Sequence, residues 1–225
     1  MSAKNQDSFA QAREDMVREQ LESRGIRDPR VLDAMRRVPR EHFLSGSAAR
    51  NPRHVYADGA LPVGRGQTLS QPFMVAGMTE ALEPEPHHRV LEIGTGTGYQ
   101  TAILAEIVDQ VWTVEVDEVL AEGARERLAE LGYDNVHYHV GDGSLGWPDG
   151  APYDGIIVTA GAPSLPPPLV AQLAPDGHLV IPVGPRHLQE LLLVWKEDGA
   201  VRTRTLLECR FVPLVGQEGW QNPTA

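Results

Sequence analysis

The segment VLEIGTGTGYQTA at residues 90–102 places the strongest constraint on what this chain can fold into. A short, mostly apolar run ends at a loop with glycine at every second position, and a helix-forming run follows. Glycines let a backbone turn sharply and approach a ligand, and the first turn of a helix offers free N–H groups. A strand, a glycine loop and a helix in this order predict the first unit of a ligand-binding parallel sheet.

The spacing of these glycines argues against a dinucleotide ligand. Gly94, Gly96 and Gly98 form G-x-G-x-G, whereas a dinucleotide loop reads G-x-G-x-x-G and would need a glycine where Tyr99 stands. Glu92, just before the loop, would place a negative charge near a pyrophosphate. The same charge is tolerable beside a ligand that carries an ammonium and a sulfonium group.

The remainder of the chain alternates between strand and helix patterns from residue 89 onward. RVLEI, QVWTVEV, NVHYHVGD, YDGIIVTA and GHLVIPVG are predicted strands, and helical runs separate most of them. This alternation predicts an α/β fold, a Rossmann-like, doubly wound and mostly parallel sheet. QELLLVWKE and RTRTLLECRFVPL follow without a helix between them, so we expect a hairpin turning at Asp198-Gly199 and an antiparallel edge.

The region before this sheet is predicted to be a helical extension followed by a loop. Apolar residues recur at helical spacing over about residues 8–23, Gly25 supplies a stop, and Asp28 caps a second helix that starts with proline. Residues 45–71 are rich in Gly, Pro, Asn and Ser, which predicts a long functional loop. A further helix is expected to begin near Pro72.

Acidic residues follow the next two strands at positions suited to a nucleoside. Glu115 ends the second strand, where a carboxylate can accept hydrogen bonds from both ribose hydroxyls. Asp142, followed by Gly143, comes after the third strand and is placed to contact an adenine amino group. Taken singly, each acid is equally consistent with a cap or a solvated carboxylate. Together with Glu92 they predict an adenosine-containing ligand, which we interpret as S-adenosylmethionine.

Composition limits the compartment and the partners. The chain has 225 residues, a formal net charge of −11, a single cysteine, Cys209, and no apolar run of about 20 residues. We therefore expect a soluble cytoplasmic protein with no membrane or nucleic-acid partner. His137 and His139 lie two positions apart on a strand, but no third ligand has suitable spacing, so we expect no metal site.

The segment GQTLSQPFMVAGM at residues 66–78 holds two hydroxyls, Thr68 and Ser70, with no His or carboxylate within it to activate them. One interpretation is that they orient a substrate. The other is that they cap the helix beginning near Pro72, and Ser70 is able to do both.

Motifs along almost the whole chain resemble those of the protein-L-isoaspartate O-methyltransferases, a family of class I methyltransferases. They are VLEIGTGTGYQTA, VWTVEVDE, GDGSLGW, APYDGIIVTAGAP, LVIPVG, CRFVPLVGQEGW and, the most specific, GQTLSQPFMVA. The resemblance implies methyl transfer from S-adenosylmethionine to the α-carboxylate of L-isoaspartyl residues, and of some D-aspartyl residues, in damaged proteins. Arg65 departs from the residues usual in the family, often histidine, and we expect it to tune peptide preference at most.

The resemblance also implies the roles of individual residues. Ser70 matches the active-site serine, and Thr68 and Gln71 are expected on the substrate side. The residues expected to bind the cofactor are Glu92, Gly94, Thr95, Gly96, Thr97, Gly98, Glu115, Asp142 and Gly143.

We expect one methyltransferase domain over residues 1–225, with helices and the substrate-side loop in 1–71 and the cofactor-binding sheet in 72–225, acting as a monomer. Three alternatives stay open. They are a related carboxyl methyltransferase acting on one dedicated peptide, a non-catalytic sensor of an adenosyl ligand, and an NAD-dependent dehydrogenase, which the glycine spacing disfavours.

Overall fold

The computed structural model describes residues 3–221 and, from residue 6, every side chain except that of residue 48. Residues 1–2 and 222–225, which the sequence analysis assigned to the same domain, lie outside the described residues. Within 3–221 the strands are β1 (Leu61–Gly64), β2 (Gln67–Leu69), β3 (Arg89–Ile93), β4 (Gln110–Glu115), β5 (Val136–Val140), β6 (Tyr153–Val158), β7 (Leu173–Val183), β8 (Gln189–Glu197) and β9 (Ala200–Cys209). The α-helices are α1 (Ala3–Met16), α2 (Pro29–Arg37), α3 (Pro52–Val55), α4 (Pro72–Ala81), α5 (Tyr99–Ala105), α6 (Glu118–Glu130) and α7 (Pro167–Gln172).

Seven of these strands form the central sheet, in the order β5-β4-β3-β6-β7-β8-β9. Strands β3 to β7 run parallel, and β8 and β9 continue the sheet antiparallel. The chain moves outward from β3 in one direction through β4 and β5, then returns to the other side of β3 with β6. The prediction of a doubly wound, mostly parallel sheet with an antiparallel edge is therefore confirmed, and its switch point lies between β3 and β6.

Apolar side chains cover both faces of the sheet. In β3, Val90 packs with the N-terminal helices, α4 and α5, while Leu91 and Ile93 pack on the opposite face toward α7. This alternation follows from the two-residue period of a strand. Within residues 3–221 no helix has the length and apolar character needed to cross a bilayer.

The N-terminal helices begin and end differently from the prediction. A continuous helix was expected over about residues 8–23, but α1 starts at Ala3 and is followed by a wider π-helical turn, Val17–Leu21. Val17 and Leu21, at the two ends of this turn, are both fully buried. The predicted cap of α2 is confirmed, since the Asp28 side chain accepts a hydrogen bond from the Arg30 N–H.

The region predicted as a long loop contains a hairpin. Strands β1 and β2 pair antiparallel, with Leu61 opposite Leu69, and both side chains are buried. Arg65 and Gly66 connect them with φ of 54° and 75°, the backbone of a two-residue hairpin turn. Each strand is too short for its alternation to be recognised in the sequence, and pairing together with burial of Leu61 and Leu69 in the core stabilises them.

The end of the chain also departs from the prediction. Asp198 and Gly199 form the expected turn between β8 and β9, with φ of 51° and 75°. The run FVPL was expected to extend the last strand, but β9 ends at Cys209. Beyond it, Val212 and Leu214 exchange backbone hydrogen bonds with Gly161, which follows β6. The C-terminal segment therefore crosses the carboxyl edge of the sheet.

Candidate active site

A cavity of about 290 Å³ opens at the carboxyl ends of the parallel strands, beside the switch point. Its floor consists of residues that follow four neighbouring strands: 93–97, 114–116, 143 and 159–160. Its cover comes from opposite ends of the sequence: residues 67–71 of the hairpin segment and residues 208–215 of the C-terminal segment. This is the place where doubly wound sheets bind their ligands.

The glycine loop exposes its backbone to this cavity. Gly94 has a φ of 94°, and a Cβ there would lie 2.4 Å from Thr159 Oγ1, so only glycine fits. At Gly96, by contrast, no atom lies within 4 Å of where a Cβ would stand. The backbone around Gly96 is therefore accessible to a ligand.

Helix α6 supports the far half of the loop. Arg127 donates a hydrogen bond of 2.7 Å to the Thr97 carbonyl, and Leu128 packs against Gly98. Thr97 and Gly98 are thus held from the side away from the cavity.

Glu92 lies beneath the loop and not in the cavity lining. Its carboxyl group is fully buried, and Oε2 accepts hydrogen bonds from the hydroxyls of Thr101 at 2.5 Å and Thr113 at 2.7 Å. Thr113 in turn lies 2.6 Å from the hydroxyl of Thr95 in the loop. Burial raises the pKa of Glu92 to about 8, so its carboxyl group is neutral at pH 7. Glu92 therefore reaches the loop through the hydroxyls of Thr113 and Thr95, and its assignment to the cofactor site remains a prediction.

Glu115 lines the cavity with its carboxylate anchored at three backbone N–H groups. Oε2 accepts from Gly96 at 2.8 Å, and Oε1 accepts from Val116 at 3.0 Å and Asp117 at 3.1 Å. The carboxylate thus joins the glycine loop to the start of α6. Because each carboxylate oxygen has two lone-pair directions and Oε2 uses one of its two, Oε2 can accept one further hydrogen bond from the cavity.

Asp142 is directed away from the cavity toward the C-terminal segment. Its Oδ1 accepts from the backbone and the hydroxyl of Ser144, and its Oδ2 accepts from the Gln217 N–H at 2.7 Å. The next residue, Gly143, does line the cavity. The contact between Asp142 and an adenine amino group remains a prediction. In the structure, Asp142 binds the C-terminal segment through the Gln217 N–H.

Thr68 and Ser70 line the same cavity as the glycine loop. Helix α4 has Gln71 at its N-cap position and no side-chain cap, so neither hydroxyl caps it. Neither hydroxyl has a hydrogen-bond partner among the described residues, while the Gln71 amide donates to Asp58 Oδ1 at 2.8 Å. The capping interpretation is therefore wrong, and the Thr68 and Ser70 hydroxyls are free to bind a ligand.

Arg65, at the tip of the hairpin, contacts the cofactor side of the cleft. Its guanidinium pairs with the Asp117 carboxylate at 2.6 Å and holds the pKa of Asp117 below its usual value. Asp117 also caps α6, which starts three residues after Glu115. This ion pair attaches the hairpin across the cleft, and the expectation that Arg65 tunes peptide preference remains a prediction.

The two histidines considered for a metal site have other partners. His137 Nε2 lies 2.6 Å from Gln110 Oε1 and its ring stacks on Trp112, while the ring of His139 packs against Trp147. In the part of the chain that the structure describes, no three His, Cys, Asp or Glu side chains are grouped to hold a metal ion.

Some residues of the site were missed by sequence reasoning. Thr159 fixes Gly94 and follows β6, so the rule that located Glu115 at a strand end would also have located it. Arg40 is completely buried and donates to the Ser70 carbonyl, and no sequence signal connects two residues 30 positions apart.

The doubly wound sheet, the G-x-G-x-G loop and the carboxylate at the end of β4 define the protein class as a Rossmann-like, class I methyltransferase fold. A family model described as protein-L-isoaspartate(D-aspartate) O-methyltransferase matches residues 11–219. A relative named protein-L-isoaspartate O-methyltransferase from Trichlorobacter lovleyi is 52% identical over 95% of this chain and 98% of its own length. Another with that name, from Pelotomaculum thermopropionicum, is 50% identical over 98% of this chain and 96% of its own.

Solved structures agree with this assignment. A protein-L-isoaspartate O-methyltransferase superposes with a TM-score of 0.82 and 32% identity over 92% of this chain and 66% of that one. A putative member from Plasmodium falciparum, in complex with S-adenosyl-L-homocysteine, has a TM-score of 0.76 and 25% identity over 90% of this chain and 98% of that one. The chain belongs to the protein-L-isoaspartate(D-aspartate) O-methyltransferase family, as its motifs predicted.

The neutral state of Glu92 predicts a defined pH dependence of stability. The folded protein keeps this proton up to about pH 8, whereas the unfolded chain loses it near 4.5. The stability that depends on the proton is complete below pH 4.5 and is lost as the pH rises to about 8. Because Glu92→Gln is neutral throughout, its free energy of unfolding relative to wild type should rise by at least about 2 kcal/mol between pH 5 and 8.

Urea unfolding at both pH values measures this difference. Glu122→Gln, an exposed substitution on α6, is the control and should show no such trend. A difference between Glu92→Gln and wild type that does not change with pH would contradict a protonated Glu92.

Proposed function

We propose that this chain transfers the methyl group of S-adenosylmethionine to the α-carboxylate of L-isoaspartyl residues, and of some D-aspartyl residues, in damaged proteins. The observation that carries the proposal is that the free hydroxyls of Thr68 and Ser70 line the same cavity as the glycine loop and Glu115. Membership in the protein-L-isoaspartate(D-aspartate) O-methyltransferase family supports the same substrate.

The floor of the cavity fits an adenosyl ligand. The open backbone at Gly96, flanked by Gly94 and Gly98, provides a cradle for it, and Glu115 Oε2 offers its remaining lone-pair direction to a ribose hydroxyl. We assign Thr95, Thr97, Asp142 and Gly143 to the same site, with Glu92 acting through Thr95. When bound, S-adenosylmethionine supplies an activated methyl group on a sulfonium centre.

The acceptor needs positioning more than activation. A carboxylate with a reference pKa of about 4 is already ionised at neutral pH, so it needs no general base. Ser70 and Thr68 donate hydrogen bonds that orient this carboxylate toward the methyl group, and the two covering segments exclude water. In the described lining, the one cationic side chain is Arg210, which is exposed at the rim and attracts anionic peptides without pairing at the reaction centre.

The product reacts further without the protein. The backbone amide nitrogen that follows the modified residue attacks the ester carbonyl, the carbon–oxygen bond breaks, and methanol leaves as a succinimide ring closes. Hydrolysis of that ring yields aspartyl or isoaspartyl residues, so repeated cycles repair the chain. A dedicated peptide substrate remains the alternative, because it would require the same catalytic residues.

We also propose that the chain acts as a single-domain monomer in the cytoplasm. N-terminal residues such as Phe9 and Val31 share an apolar cluster with Val111 and Val180 of the sheet, which supports a single domain. Cys209, the single cysteine, is half-buried, and burial raises its thiol pKa to about 11, so it is poorly reactive.

Paired peptides that differ only in L-isoaspartate or L-aspartate test this function. The isoaspartyl carboxylate stands beside the main chain, whereas an aspartyl carboxylate is one methylene further out, and a misplacement of about 1 Å costs roughly 100-fold in rate. We expect methylation of the isoaspartyl peptide, followed by loss of methanol, and at least about 100-fold slower methylation of its partner. Mass spectrometry over time measures both. Equal methylation of the two peptides would refute the proposal.

Ser70→Ala tests the orienting hydroxyl. Turnover of the isoaspartyl peptide should fall roughly 10- to 1000-fold, because one positioned donor is lost, while calorimetry should show nearly unchanged cofactor affinity. Ser164→Ala removes an exposed hydroxyl outside the cavity and serves as the control. A covalent adduct trapped on Ser70 would contradict an orienting role.

Breaking the ion pair between Arg65 and Asp117 tests whether the hairpin restrains the release of the bound ligand. Because the pair ties the hairpin to the cofactor edge, Arg65→Ala should speed release of S-adenosylhomocysteine several-fold at low salt, with less effect at 0.5 M salt, where charges are screened. Stopped-flow displacement measures the rate. Arg202→Ala breaks a similarly exposed pair with Glu197 at the far hairpin and should leave release unchanged. Unchanged release from the Arg65→Ala protein would show that the pair does not restrain the cover.

A further inference from the structure

Arg40 is the largest side chain that the described part of the fold buries completely. It lies in the 3₁₀ turn Arg40–Phe43, and its guanidinium donates through Nε to the Val55 carbonyl at 3.0 Å and through Nη2 to the Ser70 carbonyl at 2.7 Å. Val55 ends α3, before the hairpin, and Ser70 follows the hairpin. One planar group therefore connects both ends of the segment that covers the cavity.

This placement is costly for stability. Among the described side chains, no carboxylate lies within ion-pairing distance of Arg40, and its Nη1 has no hydrogen-bond partner. Burial lowers the pKa of the guanidinium, which nevertheless stays charged. A buried charge compensated by two carbonyls and the face of the Tyr99 ring, with no carboxylate partner, stabilises a fold less than apolar packing would. The stability of the fold is therefore a weak reason for an arginine at this position.

The same guanidinium also contacts the cofactor side. It lies over the ring of Tyr99, 4.9 Å from the centroid, and Tyr99 is the first residue of α5 directly after Gly98 of the glycine loop. Tyr99 is buried and lines the cavity. Arg40 thus bridges Ser70, which orients the methyl acceptor, and the loop proposed to hold the methyl donor.

We propose that Arg40 is a positioning residue for methyl transfer, setting the backbone of Ser70 at a fixed distance from the glycine loop. This rests on the proposed role of Ser70. The planar fork of arginine reaches two carbonyls and a ring face at once, which the point charge of lysine cannot do. A displaced Ser70 would misalign the carboxylate but leave the cofactor floor intact.

Arg40→Lys and Arg40→Gln separate positioning from folding. At a temperature where circular dichroism shows each variant folded, kcat with the isoaspartyl peptide should fall roughly 10- to 100-fold, while the affinity for S-adenosylhomocysteine stays within about threefold of wild type. Arg36→Gln, which breaks ion pairs with Glu14 and Glu22 in the same helical layer, is the control and should keep kcat. An equal loss of kcat in Arg36→Gln would show a merely structural effect and overturn the proposal.

A double-mutant cycle with Ser70→Ala provides the decisive readout. If Arg40 acts through Ser70, Arg40→Lys should cost about 10- to 100-fold alone but less than about threefold in the Ser70→Ala background. Losses that multiply independently would overturn the positioning role while leaving the role of Ser70 intact. A Ser70→Ala variant with full activity would instead refute the proposed function of that hydroxyl. Failure of both Arg40 variants to fold would identify Arg40 as structural.

Discussion

The active-site cleft depends on a contact between a threonine hydroxyl and the backbone of Gly94 that leaves no room for a side chain at Gly94. The Thr159 hydroxyl donates to the Gly94 carbonyl at 2.7 Å and occupies the place of a Cβ. The Gly94 N–H continues the ladder toward β4 by donating to Val114, while the Thr159 N–H donates to Ile93. These hydrogen bonds join the ends of β3, β4 and β6 at the switch point. The position of the groups that line the cavity depends on this junction.

The two segments that cover the cavity come from opposite ends of the sequence. Each is bound to the carboxyl edge of the sheet by an acidic residue that follows a strand. Asp117, after β4, holds the hairpin through Arg65, and Asp142, after β5, holds the C-terminal segment through the Gln217 N–H. A Cβ at Gly216 would overlap the Asp142 carboxylate, so this segment packs directly against it. The carboxyl edge therefore provides both the floor of the cavity and the attachment of its cover.

The sequence predicted the parts of this structure that depend on local pattern. Alternating strands and helices specified the sheet, and the rule that ligands bind beyond strand ends placed Glu115 correctly in the lining. The rule did not give the direction of a side chain, since Asp142 turns toward the C-terminal segment and Glu92 faces α5 beneath the loop. The hairpin was missed because its strands have only four and three residues. Arg40 was missed because it binds backbone carbonyls that are distant in sequence. Any residue has such a carbonyl, so no sequence pattern indicates the contact.

The distribution of charge across the site follows from the nucleophile it serves. A carboxylate paired directly with a cation would have its attacking lone pair held and its reactivity lowered. Next to the proposed reaction centre, two charged groups bind protein atoms: Glu115 binds backbone N–H groups and Arg40 binds carbonyls, whereas Arg210 lies exposed at the rim. The neutral hydroxyls of Thr68 and Ser70 line the cavity without a hydrogen-bond partner among the described residues. This arrangement supports the proposal that charged groups fix the backbone while the hydroxyls orient the acceptor, a role in which a serine needs no neighbouring base.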